Sequence, residues 1–206
     1  SITPVQQNEA MTTTELPPFV PVRRHVASYV EMLISSLLSL TASLVLSVDA
    51  IILAKNPDAI FSCDINAKIS CGTVGQSWQA NLFGWPNAFL GLIAEPVVIT
   101  VAVAALGGVR FPRWFMLTAQ AIYTIGFLFA LWLFYEANFH IGALCPWCLL
   151  VTATTTLVWM SLTRVNILDG NLRIGQWAVT ACKNYFDIGL SVIILVVMGA
   201  MIFVQY

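Results

Sequence analysis

Charged residues are scarce in this sequence: Asp, Glu, Lys and Arg make up 9% of the 206 residues, whereas 59% are hydrophobic. So few charges cannot cover the surface of a water-soluble globule, which excludes an ordinary soluble domain. A basic patch interleaved with aromatic residues is also lacking, and this excludes a nucleic-acid-binding protein. The chain contains no internal repeat and no low-complexity tract. We therefore predict an all-α integral membrane protein.

Five apolar runs are long enough to span a bilayer as helices, since about 20 apolar residues cross its hydrocarbon core. They lie at about 30–53, 86–106, 114–135, 146–162 and 187–204. Residues 1–22 are polar and rich in threonine, and we interpret them as a disordered tail. The polar segment 54–85 must lie outside the hydrocarbon, because irregular backbone facing lipid would leave its peptide groups unpaired. We expect a short interfacial helix near its middle, and a cytoplasmic loop at 163–185.

The basic residues predict the orientation, because cytoplasmic loops carry most of the Lys and Arg of membrane proteins. Seven of the nine basic residues fall on alternate segments that must share one side: Arg23, Arg24, Arg110, Arg113, Arg164, Arg173 and Lys183. Only Lys55 and Lys68 lie on the other side. We therefore expect a cytoplasmic N-terminus, with segment 54–85 and the start of the fourth span facing outward. In bacteria the outward compartment is oxidising.

Four of the five cysteines fall on this outward side, as the pairs Cys63/Cys71 and Cys145/Cys148. Pro146 is typical of a first helical residue, which places Cys145 at a helix N-terminus. Unpaired amides and the helix dipole there favour a thiolate over a thiol. The pattern therefore indicates a redox centre.

Two cysteine pairs suit a thiol–disulfide relay, in which one pair meets a partner and the other passes electrons on. Cys148 lies one helical turn deeper than Cys145, so we assign Cys148 to a lipid-soluble acceptor and Cys145 to exchange with the loop pair. A quinone is the natural acceptor, because membranes store this two-electron, two-proton carrier. Cys182 lies on the cytoplasmic side and is expected to take no part.

Other interpretations of the cysteines stay open. Cys63 and Cys71 could form a static disulfide that braces a loop, in a non-catalytic membrane protein. The four thiols could instead bind zinc, since Cys-x-x-Cys is a common half-site. The spacing of the loop pair is unlike compact zinc sites, however, and an oxidising compartment disfavours them. We therefore predict no metal site.

Several other residues are candidates for the acceptor site. Glu95 lies inside the second span, where an ionised carboxylate is expensive; it could move protons or bond to a neighbouring helix. Phe83 and Trp85 could cover a quinone or belong to an interfacial aromatic belt. Trp147, between the motif cysteines, is a further candidate. Asp49, near the outer end of the first span, is expected to be solvated or bonded to the loop.

The same residues resemble the bacterial, quinone-reducing form of the vitamin K epoxide reductase family. The resemblance covers about residues 23–162 and rests on Cys63-Asp64, Ile69-Ser70-Cys71-Gly72-Thr73-Val74, Asn87-Ala88-Phe89-Leu90-Gly91 and Cys145-Pro146-Trp147-Cys148. It implies a four-helix transmembrane bundle around a quinone such as menaquinone or ubiquinone. A loop and half-helix would cap the outward mouth of the bundle, and the fifth span would be an addition to it.

The resemblance also implies residue roles. Cys71 would exchange with Cys145, Cys63 would receive electrons from a thioredoxin-fold partner acting in trans, and Cys148 would face the quinone. Asn87 matches an asparagine that hydrogen-bonds a quinone carbonyl, although an Asn after Pro86 could simply start a helix.

Taken together, these observations predict a membrane oxidoreductase that makes disulfides in exported proteins. Vertebrate members of the family carry a substrate-binding tyrosine where this chain has Thr152, which disfavours use of vitamin K epoxide. A reductase whose product is a reduced vitamin K-type quinone stays as the alternative.

Overall fold

The computed structural model of the protein describes residues 25–172, 174–184 and 186–205. The predicted tail at 1–22, together with Arg23, Arg24 and Arg173, lies outside these residues. The described residues form seven α-helices and no β-sheet: α1 Val26–Lys55, α2 Cys71–Gln76, α3 Ala88–Leu106, α4 Arg113–Glu136, α5 Pro146–Leu168, α6 Gln176–Lys183 and α7 Phe186–Gln205. Of these, α1, α3, α4, α5 and α7 are long and apolar enough to span a membrane. The prediction of an all-α, multi-pass membrane protein is confirmed.

The ends of most spans lie close to the predicted ones, but α5 continues to Leu168 instead of ending near residue 162. The amide of Asn166 is buried there and donates hydrogen bonds to the carbonyl of Met116, at 3.3 Å, and to Oε1 of Gln120, at 3.0 Å. Polar residues in this stretch therefore belong to the helix because they bond to α4. The connection that follows is shorter than predicted and contains α6.

A row of small residues brings α1 against α3 and α5. Apart from the adjacent pair Ser35 and Ser36, its buried members lie three, four or seven positions apart, which places them on one face of the helix: Ser28, Ser35, Ser36, Ser39, Ser43 and Ser47. The hydroxyls of Ser36 and Ser47 donate to backbone carbonyls one turn earlier. Small side chains whose hydroxyls donate to carbonyls of their own helix allow spanning helices to approach closely.

The closest approach of α1 and α3 is at Gly91. A Cβ built on Gly91 would lie only 2.7 Å from Cβ of Ser43, a separation that real side chains do not adopt. The glycine is therefore required by the neighbouring helix and not by its own backbone conformation.

The two ends of the bundle differ in composition. At one end His25, before α1, lies 3.2 Å from the carboxylate of Asp169, after α5. Nearby, the guanidinium of Arg113 donates to the carbonyl of Asn171. The opposite end carries the long connection between α1 and α3, residues 56–87, together with the start of α5. The four cysteines of the two pairs all lie at this second end, and that this end faces outward stays a prediction.

Replacing Gly91 by Ala is expected to destabilise the bundle, because overpacking at a tight helix contact costs about 1–3 kcal/mol. The measurement is the midpoint of thermal unfolding in detergent. Gly126→Ala is the matched control, since a Cβ there meets nothing within 4 Å. Adding Ser43→Gly to Gly91→Ala should recover much of the loss. Equal midpoints for the two single variants would contradict the close packing of α1 and α3.

Candidate active site

Two backbone hydrogen bonds dock the 56–87 connection onto the segment that precedes α5. The N–H of Ser70 donates to the carbonyl of Leu144 at 3.0 Å, and the N–H of Leu144 donates to the carbonyl of Lys68 at 2.8 Å. Cys71 and Cys145 each follow one of these paired residues directly. The pairing therefore brings the loop cysteines to the N-terminus of α5.

The sulfur atoms meet at this junction. Cys63 and Cys71 form a disulfide. The Sγ of Cys145 lies 3.2 Å from the Sγ of Cys71 and also accepts the backbone N–H of Cys148, at 3.4 Å. Cys145 is only 1% exposed, so this approach is sheltered from water. The reduced Cys145 is thus in contact with Cys71, the sulfur with which it would exchange.

Cys145 and Pro146 occupy the predicted places: Cys145 is the N-cap of α5, and Pro146 is in its first turn. A hydrogen bond from the side chain of Cys148 lowers the pKa of the Cys145 thiol, and backbone N–H groups of the first turn lower it further, against the opposing effect of burial. The helix start therefore favours a thiolate at Cys145, which is the form that attacks disulfides.

A carboxylate organises the loop that carries the disulfide. Asp64 accepts hydrogen bonds from the N–H of Phe61 at 2.7 Å, the N–H of Gly72 at 3.0 Å and the hydroxyl of Ser70 at 2.8 Å. Although desolvation acts in the opposite direction, these bonds hold the pKa of Asp64 below its ordinary value. Ser70 in turn caps α2 by accepting the N–H of Thr73. Asp64 thus fixes both ends of the segment between the loop cysteines.

Below the sulfurs lies a cavity of about 740 Å³ inside the bundle. Its wall is almost entirely apolar, and Cys71, Cys145 and Cys148 all contribute to it. The cavity also opens sideways between α3 and α4, where four lining residues are more than half exposed: Ile93, Val97, Ile122 and Ile125. A hydrophobic molecule in the bilayer could reach the sulfurs through this opening.

Asn87 lies on the cavity wall at the start of α3. Its side chain makes no capping bond, although it occupies the N-cap position. Its amide nitrogen instead donates to the carbonyl of Gln79 at 2.6 Å, while its Oδ1 atom is buried without a partner. An unsatisfied buried acceptor is costly unless a ligand supplies a donor. Asn87 therefore lines the cavity with an unpartnered acceptor and does not cap α3.

The aromatic candidates divide into two groups. Phe83 lines the cavity, and its ring packs on Phe129 at a centroid distance of 5.8 Å. Trp85 and Trp147 do not line it, contrary to our expectation. Trp85 stacks on Phe89 at 6.1 Å and is partly exposed, as in an interfacial belt, whereas Trp147 packs beside the sulfur cluster.

Glu95 is 3% exposed and borders the deep part of the cavity. Its Oε1 accepts hydrogen bonds from the hydroxyls of Ser39, at 2.9 Å, and Tyr123, at 3.2 Å, whereas Oε2 has no partner. The carboxyl therefore links three helices, as one of our two interpretations anticipated. It also presents one free oxygen next to the cavity.

Two features of the site were not anticipated. Gln79 supplies the carbonyl that orients Asn87, and its side chain donates to Glu136 at 3.0 Å. Asp49 lies beside the sulfurs: one of its oxygens and the sulfurs of Cys63 and Cys71 are all within 4.8 Å of one another. A signal for Asp49 was present in the sequence, because it is an acidic residue near the end of the first apolar run, close to the segment that carries Cys63 and Cys71.

Cys182 lies apart from this site, as expected. It is buried against Ile167 and Ala178 at the other end of α5. The structure thus gathers Cys63, Cys71, Cys145 and Cys148 at one mouth of the cavity and separates the fifth cysteine from them.

Sequence comparison agrees with this arrangement. The profile of the vitamin K epoxide reductase family matches residues 30–163, from α1 into α5, including the docked loop and both cysteine pairs. No curated protein sequence matches the chain. Since the match covers more than half of the 206 residues, the chain belongs to the vitamin K epoxide reductase family, an all-helical family of membrane oxidoreductases.

Proposed function

We propose that this protein transfers electrons from a reduced thioredoxin-fold partner to a membrane quinone and thereby forms disulfides in exported proteins. The partner acts in trans at Cys63/Cys71, on the outward side of the membrane, and the N-terminus is cytoplasmic. The observation that carries the proposal is the contact between Cys145 and the Cys63–Cys71 disulfide at the mouth of an apolar cavity.

Electrons would move by two linked disulfide exchanges. The partner reduces Cys63–Cys71, and its own two thiols become a disulfide. The Cys71 thiolate then attacks a Cys145–Cys148 disulfide, forming a Cys71–Cys145 bond and releasing Cys148 as a thiolate. Attack of Cys63 on Cys71 closes the loop disulfide and frees Cys145.

The end point of these exchanges is the arrangement of the structure, in which the loop pair is bonded and Cys145 and Cys148 are reduced. Two electrons then reside on the motif pair, next to the cavity.

The cavity fits a quinone in size, polarity and hydrogen bonding. When bound there, a quinone would supply a two-electron, two-proton acceptor. Cys148 faces it from the first turn of α5, and Phe83 with Phe129 gives an aromatic wall. The unpartnered Oδ1 of Asn87 can accept a hydrogen bond from a quinol hydroxyl. The second N–H of its amide can donate a hydrogen bond to a quinone carbonyl. Asn87 can therefore bond the oxidised or the reduced ring.

The alternatives receive less support. A static brace needs only the Cys63–Cys71 bond and does not account for a reduced Cys145 in contact with it. Thr152 disfavours vitamin K epoxide as the substrate. Its hydroxyl donates to the carbonyl of Cys148 at 3.0 Å. A short hydroxyl engaged with its own helix does not replace a tyrosine that reaches the substrate.

The proposal is tested by reconstituting the full chain in liposomes with a quinone and a reduced thioredoxin-fold protein of the Dsb type. We expect quinol to form in proportion to the partner thiols that are oxidised. Liposomes that lack the chain and a partner with blocked thiols are the controls. If the folded protein produces no quinol from any partner or quinone tested, the proposal is wrong.

Replacing Cys148 by Ala is expected to abolish quinol formation and trap a Cys71–Cys145 link. Cys145 can still attack the loop disulfide, which releases Cys63 as a thiol, but Cys148 is not there to resolve the mixed bond. Mass spectrometry of non-reduced peptides measures the link. Cys182→Ala should show normal turnover and no such link. Loss of folding without a Cys71–Cys145 link would support the structural interpretation instead.

Replacing Asn87 by Ala is expected to raise the KM for quinone by about tenfold, because a lost hydrogen bond to a buried group costs about 1–2 kcal/mol. Oxidation of partner thiols at saturating quinone should change less. Trp85→Phe serves as the control, since Trp85 does not line the cavity. An unchanged KM in the Asn87 variant would remove Asn87 from the quinone site.

A further inference from the structure

Four potential metal ligands converge at the mouth of the cavity, from three parts of the chain. A carboxylate oxygen of Asp49 on α1 and the sulfurs of Cys63 and Cys71 in the loop lie within 4.8 Å of one another. The sulfur of Cys145, before α5, lies 3.2 Å from that of Cys71. This set differs from the four-cysteine site considered from the sequence, because Asp49 takes the place of Cys148.

The four residues could reach the separations of a tetrahedral zinc site once the Cys63–Cys71 disulfide is reduced. Zinc binds thiolate sulfur at about 2.3 Å and carboxylate oxygen at about 2.1 Å, so neighbouring sulfurs in a tetrahedral centre lie about 3.8 Å apart. The Cα atoms of Cys63 and Cys71 are 5.8 Å apart. Once the disulfide is reduced, rotation of one side chain about its Cα–Cβ bond can separate the two sulfurs without moving the backbone.

The surroundings favour a soft divalent cation. Cys63, Cys71 and Cys145 are each less than a tenth exposed, so a cation bound among them would be shielded from competing water. Three thiolates select zinc over magnesium or calcium, which prefer oxygen ligands. The Asp49 carboxylate supplies a fourth ligand, an oxygen, from α1.

We propose that the reduced protein binds one Zn²⁺ through Asp49, Cys63, Cys71 and Cys145. The cation displaces the protons of the three thiols and moves no electrons. It occupies three of the four sulfurs required for exchange, so the metal-bound form is arrested in the reduced state. The Cys63–Cys71 disulfide offers no thiolates, so the form of the protein that carries it lacks two of the four ligands and does not bind the cation. Zinc would therefore inhibit the relay only while reduced thiols accumulate.

This inference shares with the proposed function the requirement that the loop pair can be reduced, but its readout needs neither quinone nor partner. The full chain in detergent is reduced with a phosphine under anaerobic conditions, and the five thiols are verified by mass after alkylation. Cobalt(II) is the spectroscopic probe. We expect one equivalent to produce thiolate charge-transfer and tetrahedral d–d absorption, both abolished by one equivalent of Zn²⁺. Protein that retains the loop disulfide should give neither.

Variants identify the ligands. Asp49→Asn should weaken cobalt binding at least about tenfold, the scale on which metal sites lose affinity when a supporting group is removed. Cys145→Ser should lower the charge-transfer intensity by about one third, because one of three thiolates is lost. Asp58→Asn and Cys182→Ser are matched controls outside the cluster and should behave as the original chain. Cys148→Ala should also retain binding.

The ligand set is overturned if Asp49→Asn binds with unchanged affinity, or if Cys148→Ala removes binding while Cys145→Ser keeps it. The whole inference fails if verified reduced protein gives no thiolate–cobalt absorption. None of these results depends on quinol formation, so failure here and failure of the proposed electron transfer are separate outcomes.

Discussion

The redox site depends on the backbone pairing that joins Lys68 and Ser70 to Leu144. These two hydrogen bonds fix an irregular loop at the mouth of a bundle of spanning helices. Cys71 directly follows Ser70, and Cys145 directly follows Leu144. The pairing of Ser70 with Leu144 therefore brings the two sulfurs into contact. The hydrogen bonds that Asp64 accepts then hold the loop disulfide in position beside Cys145.

Close packing on one side of the bundle is combined with a gap on the other. The serine row of α1 and the glycine at position 91 bring α1 and α3 together, whereas α3 and α4 stand apart and leave the cavity open toward lipid. Polar side chains occur only at selected places on the cavity wall. Asn87 lies near the sulfurs, and Glu95 lies deeper, joined to α1 and α4 through Ser39 and Tyr123.

Much of this arrangement could be predicted from the sequence, because it follows from local patterns. Hydrophobic runs locate the five spans, and a Pro between two cysteines predicts that Cys145 caps α5. What could not be predicted depends on which side chains face each other across helices. The end of α5 lies later than predicted because Asn166 bonds to Gln120 on α4. Phe83 lines the cavity, whereas Trp85, two residues later, does not.

The burial of the loop disulfide has a consequence for which thiols can use this protein. Cys63 is 8% exposed and Cys71 is 3% exposed, so a small soluble reductant reaches these sulfurs more slowly while the loop is docked than when it is open. Under the proposed function, electrons would enter most readily through an encounter that first draws the loop away from Leu144. The docked loop would then slow non-specific exchange with small thiols and favour a macromolecular partner that binds the loop.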